Sequence, residues 1–333
     1  FSARASAKNF SNEQLRQAVE FCHGRGVKVY LTVNTLLSQQ ELPSILAFLQ
    51  FACSLPVDAL LIQDLGLFRL IRQAAPDMPV HASTQMSIHT PAGAKFLYEQ
   101  GMERVVLARE LNLDQVTHIH REIERQHITG PAGKPVRIEM FAHGALCMAV
   151  SGKCYLSLHE MNASANRGAC MQVCRRGYTV RDKESDIELD IDNQYILSPK
   201  DLKTIHFINR MMEAGVRVFK IEGRARSAEY VRTVVECYRE AVESVIDGSY
   251  GKEKIAAWDT RLSKVFNRGF WGGYYMGARA GEWSRTYGSS ATVRKVYVGK
   301  VTNYFARIGV IELQVEAAPL SVGEPVFLTG ETT

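Results

Sequence analysis

The alternation of apolar runs with amphipathic stretches constrains the fold of this chain more than any other feature. Six apolar runs occupy residues 28–34, 59–64, 79–85, 104–109, 137–143 and 217–222. Stretches with helical periodicity lie near 40–54, 65–75, 91–101, 112–126, 200–214 and 226–247. Apolar strands that alternate with helices are typical of parallel βαβ units. The sequence therefore predicts an α/β fold with six parallel strands.

The strand count favours a barrel over an open sheet. The sequence opens on a helical stretch near residue 11, which in a βα repeat would follow an earlier strand. Two upstream strands would bring the total to the eight that close a (β/α)8, or TIM-type, barrel. The alternative is a doubly wound sheet, but no glycine-rich phosphate loop follows any strand. We predict a TIM-type barrel over residues 1–250 whose first strands are missing from this chain.

Two segments depart from the βα pattern. Residues 147–196 carry four cysteines without helical or strand periodicity, and we interpret them as a cysteine-rich insertion. From residue 290 the hydrophobic period becomes two, in three short runs separated by Gly, Asn and Pro, which predicts a small C-terminal β-barrel element over 290–333 that is incomplete with three strands. Residues 251–289 are predicted to link the two parts.

Composition excludes several classes of protein. With 46% hydrophobic and 23% charged residues, the chain is neither disordered nor fibrous. No run of 18 apolar residues lacks a charge, so we expect no transmembrane helix. Seven cysteines, an odd number, and an N-terminus without a signal pattern point to the cytoplasm rather than to a secreted disulfide protein. The net charge of +5 permits an RNA partner but does not require one.

The cysteines of the insertion suggest a metal centre. Cys147, Cys154, Cys170 and Cys174 are separated by 6, 15 and 3 residues. Four thiolates suit an iron–sulfur cluster or tetrahedral zinc. Zinc ligands are usually two to four residues apart, and only the last pair fits that spacing, so the pattern favours a cluster. Two disulfides, or four unconnected thiols, remain as alternatives.

Several motifs resemble those of the collagenase-like U32 peptidase family. They are His81-Ala-Ser-Thr-Gln85, the segment 139–157, Ser164-Ala-Asn-Arg-Gly-Ala-Cys170, Leu197-Ser-Pro-Lys-Asp-Leu202 and Phe219-Lys-Ile-Glu-Gly-Arg224. The family is named for proteolysis, with collagen as a substrate of some members. Other members hydroxylate RNA bases with prephenate and hold a [4Fe–4S] cluster on four cysteines. The resemblance implies either 5-hydroxycytidine formation in 23S rRNA or 5-hydroxyuridine formation in tRNA. A U32-type peptidase and an assembly partner with a structural cluster are the alternatives.

Candidate site residues lie mainly where the apolar runs end, because the active site of a parallel barrel lies at the carboxyl ends of its strands. We predict His143, Glu139 and Glu222 as catalytic residues. Substrate binding is assigned to cations that suit the carboxylates of prephenate and to two amides: Arg109, Lys220, Arg224, Arg175, Gln85 and Asn34. Cys147, Cys154, Cys170 and Cys174 are the predicted metal ligands.

Some of these assignments have structural alternatives. Lys220 lies inside a strand, where it is as plausible as the ion-pair partner of Glu139, and Arg109 could pair with Glu110. His143 is predicted either as a general acid–base or as an N–H donor to the cluster sulfurs. The sequence has no Gly-x-Ser-x-Gly elbow and no His-Glu-x-x-His motif, so support for proteolysis comes only from the family resemblance.

Overall fold

The computed structural model describes residues 9–130, 133–181, 184, 188–189, 195–278 and 281–330. They fall into two compact units, which divide between Ala291 and Thr292. Across these ranges, no helix is both long and apolar enough to cross a membrane.

The first unit is built on a mostly parallel sheet. The strands of this unit in the described chain are β1 (Tyr30–Val33), β2 (Ala59–Ile62), β3 (Val80–Ala82), β4 (Arg104–Val106), β5 (Arg137–Gly144), β6 (Val180–Arg181), β7 (Glu188–Leu189), β8 (Asp201–Lys203), β9 (Val216–Ile221) and β10 (Phe270–Trp271). All of them belong to this sheet except β6 and β7, which pair only with each other. Strands β1 to β5 pair in parallel in chain order, and β9 pairs in parallel with β5. All six predicted strands are present, and the parallel α/β class is confirmed.

Barrel closure is not observed. Among the described residues, β1 is the end strand of the sheet and pairs only with β2. At the other side, β8 lies antiparallel to the end of β5 and parallel to β10. The sheet of the described chain is therefore open, because no strand bridges its two edges.

Nine helices flank the strands in the described ranges: α1 (Asn12–His23), α2 (Leu42–Ser54), α3 (Leu65–Ala74), α4 (Pro91–Glu99), α5 (Leu113–Arg125), α6 (Leu156–Met161), α7 (Ile208–Glu213), α8 (Ala228–Ile246) and α9 (Lys252–Lys264). Local sequence explains where several begin. Ser11 and Asn112 form capping boxes at α1 and α5, and the Asp64 carboxylate accepts the Leu67 N–H at the start of α3. The apolar faces of α1 to α5 pack on the sheet in one hydrophobic cluster, and α8 and α9 form most of a second one.

Three predicted segments differ from the structure. The helix expected over 200–214 is shortened to α7, because Asp201–Lys203 forms β8, where the buried Asp201 carboxylate accepts hydrogen bonds from Arg268. The predicted linker 251–289 contains α9, whose Trp258 and Leu262 are buried against α8 in the first unit. Part of the insertion 147–196 lies outside the described residues.

The second unit holds an antiparallel pair rather than a barrel. Strands β11 (Gly299–Phe305) and β12 (Val310–Val315) form a two-stranded sheet, and Gly309 takes a positive φ of 67° in the turn between them. The predicted third strand near 324–328 does not pair with them in the described chain, which corrects the expectation of a β-barrel element. Two strands expose both faces and cannot close a barrel.

Candidate functional site

The carboxyl ends of β1, β3, β4, β5 and β9 border one cavity of about 310 Å³. Every predicted site residue except Glu139 and His143 lines it: Asn34, Gln85, Arg109, Cys147, Cys154, Cys170, Cys174, Arg175, Lys220, Glu222 and Arg224. The strand ends and the cysteine-rich insertion thus contribute to the same space, as a site at the carboxyl edge of a parallel sheet requires.

Glycines allow the insertion to approach the strands closely. Gly144, at the end of β5, has a φ of 113°, and a Cβ there would lie 2.6 Å from the backbone oxygen of Glu222. Gly152 has a φ of 78°, and a Cβ there would lie 2.8 Å from the Gln85 side-chain oxygen. Gly168 ends a short 3-10 turn, also at positive φ. These positions bring the cysteine-bearing loop against β9 and the turn after β3.

The four cysteines of the insertion are free thiols that face the same cavity. Cys147 is exposed and the other three are half-buried. Burial raises the pKa of the Cys174 thiol, the positive charge of Arg175 opposes this, and the neighbouring thiols raise the pKa further. The chemistry of this donor set fits a thiolate-ligated metal centre.

The thiols are not gathered tightly around one point. Within the described residues, no three His, Cys, Asp or Glu side chains form a group that could hold a metal ion. Tetrahedral zinc requires every thiolate to lie about 2.3 Å from one ion. The described residues therefore do not show a compact ligand set, and the choice between a cluster and zinc stays a prediction.

Arg175 holds the insertion together. Its guanidinium donates to the backbone oxygen of Leu146 at 2.7 Å, to Ser198 Oγ at 2.9 Å, and to the backbone oxygen of Pro199. Burial lowers the pKa of Arg175 to about 10, which leaves it charged at neutral pH. Arg175 lines the cavity, and these three hydrogen bonds also give it a positioning role; its predicted substrate binding stays a prediction.

Arg109 and Lys220 flank the ring of Phe141 inside the cavity. The Arg109 guanidinium lies 4.9 Å from the ring centroid, and Lys220 Nζ lies 5.6 Å from it. Arg109 donates to Ser151 Oγ at 2.6 Å and to the backbone oxygen of Ala145 at 3.2 Å. Arg109 does not pair with Glu110, and these two hydrogen bonds direct its guanidinium toward the cysteine-rich insertion.

Glu139 is buried below the cavity in a cluster of three charges. Its two carboxylate oxygens accept from Lys220 Nζ at 2.9 Å and from Arg104 Nη1 at 3.2 Å. Burial favours the neutral acid, but the two positive charges outweigh it and lower the pKa of Glu139. The alternative interpretation of Lys220, as the partner of Glu139, is confirmed. Glu139 does not line the cavity and both of its carboxylate oxygens are paired, so its position does not favour the predicted catalytic role, which stays a prediction.

His143 is also placed away from the cavity. It is 1% exposed, Tyr230, Tyr238 and Phe270 surround its ring, and Nδ1 lies 3.3 Å from the hydroxyl of Tyr238. The pairing of β5 with β9 shifts register between Phe141 and His143, which turns the histidine toward α8. Burial, with the charge of Lys203, lowers the pKa of His143 to about 3. The ring is a neutral, buried group, so its position does not favour the predicted catalytic role, which stays a prediction.

Glu222 and Arg224 follow β9 at the rim of the cavity. The Glu222 carboxylate accepts the backbone N–H of Arg224 at 3.1 Å, and the Arg224 guanidinium donates to Asn9. Gln85 and Asn34 complete the rim, and the side-chain oxygen of Gln85 is buried without a hydrogen-bond partner in the described chain. A buried acceptor of this kind is available to a donor group on a ligand.

Sequence patterns did not single out several cavity residues, among them two that contact Arg109. Phe141 and Ser151 line the cavity and contact Arg109. Phe141 lies near the carboxyl end of β5, and that position was the signal available in the sequence. Ser151 has no such signal, because it lies in an irregular loop.

Comparison with known proteins gives one family and two kinds of relative. Residues 1–285 match the model of peptidase family U32. A protein named collagenase from Porphyromonas gingivalis W83 is 56% identical over 328 residues, which cover 98% of this chain and 78% of the relative. A 23S rRNA 5-hydroxycytidine synthase from Escherichia coli K12 is 36% identical, over 85% of this chain and 41% of the relative. A tRNA hydroxylation protein from Bacillus subtilis 168 is 31% identical, over 94% of this chain and 73% of the relative.

Proposed function

The chain belongs to peptidase family U32, and we propose that it is an RNA-modifying enzyme that hydroxylates a base of 23S rRNA or tRNA. The proposal includes prephenate as the hydroxyl donor and a [4Fe–4S] cluster as cofactor. The observation that carries it is the convergence of four thiols and three cations, Arg109, Lys220 and Arg224, on one cavity. The relatives named for 23S rRNA and tRNA hydroxylation support the choice of substrate.

The residues of the cavity suit the two proposed ligands. Cys147, Cys154, Cys170 and Cys174 would hold the cluster, which supplies one-electron redox chemistry when bound. Prephenate is a dicarboxylate, and Arg109 and Arg224 offer planar donors to carboxylates while Lys220 offers a point charge. Glu222, the carboxylate among these lining residues, would orient the rim through Arg224.

Proteolysis is the second candidate, and the relative named collagenase favours it. The described residues that line the cavity include serines and cysteines but no histidine. A serine or cysteine nucleophile requires a base within hydrogen-bond reach, and histidine is the usual one. His143 does not supply it, because its ring is enclosed by aromatic side chains. The geometry therefore supports hydroxylation better than peptide cleavage.

One assay on a single preparation tests the two functions together. Anaerobically purified protein is incubated with unmodified tRNA and ribosomal RNA, with and without prephenate, and in parallel with collagen peptides. We expect one nucleoside to gain an oxygen atom only when prephenate is present, and no peptide to be cleaved. Peptide cleavage that survives replacement of Cys174 by Ser, without any RNA modification, would overturn the proposal.

The cluster is tested by composition and colour. The wild-type protein should contain iron and sulfide and absorb near 400 nm, roughly where thiolate-ligated clusters absorb. Cys154→Ser should lose most of its iron and sulfide and most of the absorption near 400 nm, roughly the region of thiolate-ligated clusters. Cys53→Ser is the matched control, because Cys53 is an exposed thiol on α2 outside the cavity. A colourless wild-type protein with one zinc ion would contradict the iron–sulfur assignment.

A further inference from the structure

A second cavity lies at the opposite end of the strands. Its volume is about 180 Å³, and the first residues of three strands, Tyr30, Arg104 and Arg137, line it. None of its lining residues belongs to the cysteine cavity. The proposed function does not use this space.

The charges around this second cavity are unbalanced. Lys28, Arg104, Lys134 and Arg137 line it, against the carboxylates of Asp58 and Glu103. Asp58 is already engaged, because it accepts from His23 Nε2 at 2.9 Å and from the backbone N–H of Val29 at 2.7 Å. In the described chain, Lys28, Lys134 and Arg137 form no side-chain hydrogen bond and no ion pair. Like charges that converge without a counterion repel one another, and an anion in the cavity relieves that repulsion.

Arg104 is held in place at the inner wall. Glu139 fixes its guanidinium at 3.2 Å, and the same group lies 5.1 Å from the centroid of the Tyr30 ring. Its side chain is 12% exposed. A preorganised guanidinium loses little conformational entropy when it binds an anion.

His81 provides an unused hydrogen-bonding group at the same wall. The residue is 4% exposed, and its ring packs edge-on against Tyr30 with 4.9 Å between centroids. Its Nδ1 atom is buried and has no partner within the described residues. Burial, with the charge of Arg104, lowers the pKa of His81 to about 4, so the ring is neutral and carries one N–H. An unpaired buried polar atom is unfavourable, and a ligand oxygen that accepts from this ring nitrogen would relieve that cost.

We propose that this cavity binds a small phosphate group, either inorganic phosphate or a short phosphomonoester. Three of the four cations, Lys28, Lys134 and Arg137, have no ion-pair partner within the described residues, which favours an anion with more than one negative charge. The volume of 180 Å³ is below the roughly 300–1,000 Å³ of pockets for drug-sized ligands, which limits the ligand to a few atoms. Arg137 can bind two phosphate oxygens at once, while Lys28 and Lys134 act as point charges.

Calorimetric titration of the full chain with inorganic phosphate, at pH 7 and constant ionic strength, tests the proposal. Saturable binding to one site is expected. Lys28→Gln and Arg137→Gln should each weaken binding by about tenfold, which corresponds to the loss of one charged contact. Both side chains are exposed, so neither change should prevent folding. Lys264→Gln and Arg210→Gln are the matched controls, because they remove the same charges at exposed positions outside the cavity and should leave the affinity unchanged.

Two further ligands, glycerol phosphate and acetate, test which chemical class of anion the cavity binds. Glycerol phosphate in place of phosphate distinguishes the sources: tighter binding identifies an ester, and weaker binding identifies the free ion. Acetate should bind at least tenfold more weakly, because it carries one charge and two oxygens. Absence of saturable phosphate binding, equal affinity in all four variants, or acetate binding as tight as phosphate binding would overturn the proposal.

Discussion

Glu139 forms two buried ion pairs inside the sheet. It joins Lys220 of β9 to Arg104 of β4 from its own position on β5, so one carboxylate links three strands. At 5% exposure, its charge is stabilised by these two partners rather than by water. Removal of one member of a buried ion pair usually costs about 3–5 kcal/mol, because the remaining charge has no partner.

Replacement of Glu139 by Gln should therefore destabilise the protein. We expect the free energy of unfolding, measured with urea at pH 7, to fall by about 3 kcal/mol. Glu243→Gln is the control, since Glu243 forms an exposed pair with Arg239 on α8 that is screened by solvent and contributes little to stability. Similar losses in the two variants would contradict the structural role of Glu139.

The same variant carries a pH signature. The pKa of Glu139 is lowered from 4.5 in the folded protein, so its contribution to stability is present above about pH 4.5 and is lost as the pH falls through the folded pKa. The difference in unfolding free energy between wild type and Glu139→Gln should therefore shrink below pH 4.5. A difference that stays constant or grows as the pH falls would exclude a stabilised carboxylate.

His143 gives a second prediction at this scale. Its pKa of about 3 lies below the ordinary value of 6.5, so the folded protein disfavours protonation and loses stability as the pH falls from 6.5 toward 3. In His143→Phe, an aromatic ring of similar shape among Tyr230, Tyr238 and Phe270, that part of the loss should disappear while RNA hydroxylation persists. Loss of activity in a variant that melts like the wild type would restore the catalytic role.

The loop that follows β5 is the element that builds the cysteine cavity. Gly144 ends this strand at positive φ, with the backbone of Glu222 so close that no Cβ fits. Cys147 follows three residues later, so the path of the chain at Gly144 sets where the first thiol enters the cavity.

Gly144→Ala should destabilise the protein and disturb this element. Gly248→Ala is the matched control, because Gly248 also has positive φ but a Cβ added there would have nothing within 4 Å. Both variants should lose about 1–2 kcal/mol to the left-handed backbone, and Gly144→Ala should lose at least that much again through the clash with Glu222. Equal changes in melting temperature would show that β5 and β9 do not approach as closely as described.

Local sequence patterns predicted those helices and strands that have a clear periodicity of their own. The buried run of β2 and the capping boxes of α1 and α5 are sequence-local signals, and the corresponding elements are present. The register shift between β5 and β9 depends on pairing between distant segments, so the position of His143 at the end of its apolar run did not show which way its ring would turn. β8 was missed for a similar reason, since Asp201 is stabilised by Arg268, far along the chain.

In the molecule as a whole, one general rule predicted which residues lie together at the site. Strand ends of a parallel sheet share an edge, and that rule correctly brought Asn34, Gln85, Arg109 and Glu222 together with the cysteines. Barrel closure and a complete C-terminal barrel were not obtained, because both require strands that the described chain does not supply. The cavity at the amino ends of the strands was not anticipated, since its residues begin strands rather than end them.

Nucleoside analysis in cells tests most directly whether the cysteine cavity hydroxylates an RNA base. Total tRNA and ribosomal RNA from a strain lacking this protein would be digested and compared by mass spectrometry with RNA from strains complemented by the wild type, Cys174→Ser or Cys53→Ser. We predict that one hydroxylated nucleoside disappears in the deletion strain, returns with the wild type and Cys53→Ser, and stays absent with Cys174→Ser. An unchanged set of nucleosides in the deletion strain would contradict the account.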